Sequence, residues 1–144
     1  MSGLELRKCR QEHIRYIAPQ DGQSEIQLAY MQPDMKHVFE NEFTLSAWKG
    51  STCVGAAGLI QIMPHYAVAW AFIAKGAGPH MLEAVRAMRN VMDKSTFERI
   101  EMRVDTKFYK GHKLARLLGF HVEAPKMRKT GAFKEDETLY ARVR

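Results

Sequence analysis

The sequence predicts an α/β fold: a mixed, mainly antiparallel sheet of six or seven strands flanked by helices. Three observations lead there. Residues 43–73 alternate with a period of two, interrupted only by Lys49-Gly50-Ser51 and Pro64-His65, which reads as an antiparallel meander. The run Tyr66–Ile73 is followed by a glycine loop, an amphipathic helix and a second strand over Phe97–Asp105. Two strands joined through a helix must pair in parallel if they share a sheet. Two further strand-like segments, Phe120–Pro125 and Glu137–Val143, close the chain.

Each element has a local reason. Leu4–Cys9 alternates weakly and reads as a first strand, and Arg10–Ile17 offers Ile14 and Ile17 as a short apolar seam. Pro19-Gln20-Asp21-Gly22 breaks that seam, after which Ser24 can cap a helix through Ile26, Leu28, Ala29 and Met31. Pro33 interrupts it, and residues 34–42 are expected to add another helical turn. In the meander, the long strand Thr52–Met63 carries Gly55 and Gly58, which mark a bulge or a close approach to the backbone. Tyr66–Ile73 is expected to be a central strand buried on both faces.

Lys75-Gly76-Ala77-Gly78-Pro79 then opens the strongest helical pattern in the chain, running to Lys94. Pro79 suits a first helical turn. Met81, Leu82, Val85, Met88, Val91 and Met92 form one expected apolar stripe, with Glu83, Arg86, Arg89, Asn90 and Asp93 opposite. In the next helix, Lys107–Leu118, the residues Leu114, Ala115, Leu117 and Leu118 point inward, and Gly119 is the natural residue to end it in the left-handed region.

The chain has 144 residues, enough for one domain over 1–144 with a proper core. Its two cysteines, Cys9 and Cys53, have no metal-ligand spacing, which predicts a reducing compartment and no metal site. Met1–Arg10 is polar, so no secretory leader is expected, and the longest apolar run, Ala67–Ala74, is too short to span a bilayer. A soluble cytoplasmic protein without a membrane partner is expected. The net charge of +6 favours anionic partners: a phosphorylated cofactor, an acidic surface or nucleic acid.

The glycine loop can be read in two ways. Gly76 and Gly78 can simply turn the chain from strand to helix. They can also expose backbone amides at a helix N-terminus, where the dipole favours a phosphate. Nucleic-acid binding has some support in Lys113–Phe120 followed by Met127-Arg128-Lys129, which imitates a helix-turn-helix. Pro125 would break the recognition helix, and the upstream strands do not suit such a domain.

On the element order, on Gly76-Ala77-Gly78 and on Leu114-Ala115-Arg116-Leu117-Leu118-Gly119-Phe120, the chain resembles the GNAT acetyltransferase superfamily. The resemblance implies a GNAT-like mixed sheet and a site for acetyl-CoA, its pyrophosphate at Gly76, Ala77 and Gly78. Lys75, Lys107 and Lys110 stand near enough in sequence to meet phosphates. An amine or a protein would be the acyl acceptor. Asp105 and Tyr109 are the candidate catalytic residues, with His65, Tyr66 and His112 as further possibilities. Three positions depart from the family pattern: Ile73 replaces a Gln or Arg, Ala115 replaces a frequent tyrosine acid, and Tyr66–Ile73 contains no carboxylate. Phe43-Thr44-Leu45-Ser46, Gly55–Gly58 and Lys75–Lys94 are similar to short phage-encoded members of the superfamily, including a group linked to internal virion assembly. That likeness implies an alternative: a non-catalytic protein that binds phage structural proteins.

Overall fold

The computed structural model describes residues 3–18 and 33–144. Its strands are β1 (Glu5–Lys8), β2 (Leu45–Lys49), β3 (Thr52–Met63), β4 (Tyr66–Ile73), β5 (Arg99–Asp105), β6 (His121–Met127) and β7 (Glu137–Val143). They form one seven-stranded sheet in the order β1-β2-β3-β4-β5-β7-β6. The helices are a single turn, α1 (Lys36–Phe39), and two longer elements, α2 (Met81–Lys94) and α3 (Tyr109–Leu117). The expected fold class is therefore observed. The helix expected over Ser24–Met31 lies outside the described residues.

Every pairing is antiparallel except β4–β5. These two strands are parallel and pair only at Tyr66–Arg99, Ala67–Ile100 and Val68–Glu101. Beyond Val68 they separate. Among the described residues, Ala69–Ile73 thus have no ladder partner on the edge that faces β5. The narrow end is tied by side chains: the Tyr66 hydroxyl donates to Glu101 at 2.7 Å, and Arg99 Nε donates to the same carboxylate at 2.8 Å. Arg99 also donates to Glu123 on β6, so one arginine links three strands.

Two cores sit on opposite faces of the sheet. Alternation along β5 sends Ile100, Met102 and Val104 to one side, where they pack with Val85, Met88 and Met92 of α2 and Leu114, Ala115 and Leu118 of α3. The other core joins Ile14, Ile17, Phe39, Trp48 and Phe72. Arg10–Ile17 enters it as a 3₁₀ turn over Gln11–Tyr16, which presents Ile14 inward.

Three expectations need correction. Leu82 is 65% exposed, because the α2 stripe narrows to Val85, Met88 and Met92 on its buried side. β4 is not buried on both faces: Val68, Trp70 and Ile73 are half-exposed because β5 has moved away beside them. β5 starts at Arg99 rather than Phe97, which is instead a core anchor against Phe43. The predicted end of α3 is present, with Gly119 at φ +90°.

Candidate active site

The separation of β4 from β5 opens a cleft of about 760 Å³ that draws residues from both faces of the sheet. The loop at one end is built by short hydrogen bonds. The Lys75 amide donates to the Ala18 carbonyl at 2.8 Å, the Ala77 amide to Ala74 at 3.1 Å, and the His80 amide to Ala77 at 2.9 Å. Ala77 is thereby buried, whereas Gly76 and Gly78 are exposed. Gly76 has φ +88°, a conformation that L side chains rarely adopt. A Cβ on Gly76 or Gly78 would meet nothing within 4 Å, so the outer face of the loop is open. Gly78–His80 form a 3₁₀ turn that leads directly into α2. The apparent helix start at Pro79 is thus a tighter turn followed by α-helix from Met81.

Across the cleft, α3 lies very close to β5 because position 111 is glycine. A Cβ there would stand 2.7 Å from both Phe108 Cδ2 and Val104 Cγ1. This approach lets Lys110 and Lys113 line the cleft on the same side as the glycine loop. Asp105 also lines it. Its Oδ1 accepts the Lys107 amide hydrogen at 2.9 Å and its carbonyl accepts that of Phe108 at 2.9 Å, so it shapes the turn into α3 as well.

Of the residues singled out from sequence, Gly76, Ala77, Gly78, Asp105 and Lys110 come together at this cleft. Lys75 and Lys107 are exposed and are not among its lining residues. Tyr109 is 73% exposed and is also outside the lining. His112 is occupied elsewhere: Nε2 lies 3.0 Å from the Thr106 carbonyl and Nδ1 lies 2.7 Å from the Tyr140 hydroxyl. Since a carbonyl can only accept, Nε2–H donates to it and Nδ1 accepts from the buried Tyr140. The ring fastens α3 to β7. His65 is exposed at the β3–β4 turn, where its carbonyl accepts the amides of Glu98 and Arg99.

The sequence reading missed Arg103, Glu135 and Glu137, all of which line the cleft. Glu137 pairs directly with Asp105 across β5–β7, so two carboxylates stand side by side. Burial is the main cause that pushes the Glu137 carboxyl above the ordinary range, reinforced by Glu135 and Asp105; Thr130 and Arg103 act against it. Only the pairing of the last strand beside β5 brings Glu137 here, and that pairing has no local signature.

The sequence matches no protein-family model and no curated protein. Solved structures match its backbone over nearly the whole length. An N-acetyltransferase from Staphylococcus aureus is 16% identical with a TM-score of 0.74, over 97% of this chain and 97% of that one. A putative acetyltransferase from Salmonella typhimurium, solved with its cofactor acetyl-CoA, gives 10% identity and a TM-score of 0.64, over 98% and 94%. The fold is that of the GNAT acetyltransferases. A mutant of the spermidine N-acetyltransferase from Vibrio cholerae shares it too, at 18% identity and a TM-score of 0.65 over 99% and 95% of the two chains. Within the GNAT fold, the open-faced glycine loop and the splayed strands described above lie at opposite ends of one cleft. Among the described residues no helix is long and apolar enough to cross a membrane, and no cluster of potential metal ligands occurs.

Proposed function

We propose that this protein is a member of the GNAT superfamily that binds acetyl-CoA in the β4–β5 cleft and transfers the acetyl group to an amine. The observation that carries this reading is the open loop at Gly76–Gly78 facing Lys110 and Lys113 across one cleft. Exposed amides before a helix, with two ammonium groups opposite, suit a pyrophosphate. A cradle that a Cβ would fill at Gly78 is the structural test the loop meets. Lys75 and Lys107, exposed at the margins, add positive charge nearby. The unpaired edge of β4 from Ala69 to Ile73 supplies backbone donors and acceptors for the amide-containing arm of the cofactor.

When bound, acetyl-CoA supplies an activated acyl group. The residues of this chain then have two tasks: to hold that group near the amine and to take a proton from the amine. Asp105 and Glu137, paired at the cleft, are the carboxylates placed to receive the proton. The similarity to the Salmonella protein and its acetyl-CoA supports the choice of cofactor.

A second reading, binding without turnover, draws support from position 115. Ala115 is fully buried in the core under α3, so no proton donor stands there, and β4 carries no carboxylate. On that reading the fold binds a protein partner, such as a phage structural protein. Thiol release from acetyl-CoA with a panel of amines separates the two. Steady turnover that is lost in Asp105→Asn or Glu137→Gln supports the enzyme. CoA binding without turnover for any amine, peptide or phage structural protein supports the second reading.

A further inference from the structure

The two sides of the cleft differ in chemistry, and the difference identifies the class of acceptor. One side holds the glycine loop with Lys110 and Lys113, the cationic half already assigned to the cofactor. Strand alternation sets the composition of the other. Val68 and Trp70 project from β4 on the face of the sheet opposite α2 and α3, and Ile60 of β3 lines the cleft beside them. All three are half-exposed, and Trp70 is braced edge-on by Phe39, with ring centroids 4.8 Å apart. They make a rigid apolar wall. On the facing side stand Asp105 of β5 and Glu137 of β7, with Arg103 one alternation away.

Glu137 is the informative residue. It is half-buried, yet it makes no ion pair among the described residues. Glu101, comparably enclosed on the same face of the sheet, is matched by Arg99. A carboxylate taken from water without a cation is unfavourable unless something cationic completes it. Asp105, its cross-strand neighbour, also has no ion pair among the described residues and bonds only a backbone amide. Arg103 offsets part of this charge but not both carboxylates.

We propose that the acceptor site takes a primary amine with an apolar body, its ammonium group between Glu137 and Asp105 and its aromatic or branched hydrocarbon part on Ile60, Val68 and Trp70. An ammonium there completes Glu137, and the apolar wall gains the burial of the body. A polycation without a hydrocarbon block leaves that wall wet, and a neutral analogue leaves the carboxylate unpaired. The proposal rests on the acetyl-transfer reading for its biological meaning, but amine binding can be measured apart from it.

The experiment is calorimetric titration of the whole protein, with and without saturating CoA, using 2-phenylethylamine, 2-phenylethanol and spermidine. The expected result is binding of 2-phenylethylamine in at least one of the two conditions and tighter than spermidine, with no heat from 2-phenylethanol. Glu137→Gln should weaken amine binding by about tenfold or more, the usual scale for losing a charge-assisted hydrogen bond, with CoA affinity unchanged. Val68→Asp, at a half-exposed position, should lower the preference for 2-phenylethylamine over spermidine. Spermidine as the tighter ligand, equal binding of the alcohol, or an unaffected Glu137→Gln would each overturn the proposal. So would the absence of amine binding in both conditions. Failure of CoA itself to bind would instead sink the acetyl-transfer reading, and the amine titration would still decide this one.

Discussion

Replacing Gly78 with leucine tests the cofactor site with little disturbance to the fold. A Cβ at position 78 meets nothing within 4 Å, and the backbone there does not require the left-handed region. The stability change is therefore expected to stay within about 0.5 kcal/mol, as for an ordinary surface substitution. The side chain would nevertheless occupy the space in front of the loop where a pyrophosphate must approach. Loss of one charge-assisted contact is worth about 1.5–3 kcal/mol, so CoA affinity should fall roughly 10- to 150-fold. Gly76→Ala acts differently. At φ +88° a side chain costs about 1–2 kcal/mol, or a fall in Tm of roughly 3–8 °C. Gly50, at φ +60° in the β2–β3 turn and with nothing within 4 Å of a Cβ, gives the control. Gly50→Ala should lower Tm similarly without affecting CoA. Calorimetric titration together with thermal melts reads all three. Wild-type CoA affinity in a folded Gly78→Leu protein would refute the placement of the phosphate at this loop.

Arg144 donates to the carbonyls of Met92, Asp93 and Ser95 at the C-terminus of α2, where the helix dipole favours a cation. Arg144→Ala should cost about 1–3 kcal/mol in denaturant melts. A hydrogen bond from Arg142 is the main cause that holds the Asp93 carboxyl below its usual range. That contribution to stability is present above the unfolded-state value and is lost as pH falls through the lower folded-state value, so Asp93→Asn should flatten the acid limb of the stability–pH curve. Cys9 and Cys53 are both buried and free, and burial pushes the Cys9 thiol up to about 12. Neither should react with a thiol reagent at neutral pH until the protein unfolds, which a labelling time course against urea would show.

Much of this architecture was readable locally. The strand Glu137–Val143 was located to the residue, and Gly119 ends α3 where its sequence position indicated. Alternation and glycine placement act over a few neighbours, so they survive in a single sequence. The face of Leu82 was not readable, because a helix stripe of six apolar residues is wider than the contact α2 makes with the sheet. The cofactor half of the cleft was legible for the same local reason: loop, glycines and helix are contiguous in the chain. The other half was not. Glu137 reaches Asp105 across thirty-two positions of sequence only because β7 inserts between β5 and β6, and nothing near residue 137 records that insertion.

The same insertion explains why the cleft exists. β5 pairs with β7 along its full length, from Arg99–Val143 to Asp105–Glu137, while β4 pairs with β3 from Met63–Tyr66 to Gly55–Ile73. Each strand is thus committed to a different partner over its whole run, and only three residue pairs hold the two blocks together. Sheet twist makes the blocks diverge once that short ladder ends. Closing the gap would require displacing Phe108 and α3, which are seated on Val104 with no room even for a Cβ at Gly111. Opening it further would break the Tyr66–Glu101–Arg99 tie at the narrow end. The cleft is therefore set from both sides before any ligand enters, and a ligand lying along the unpaired edge of β4 orders little backbone on binding. That geometry serves either turnover or binding alone. Which of them operates depends on whether the Asp105–Glu137 pair meets an amine, since no other paired carboxylates among the described residues line the cleft.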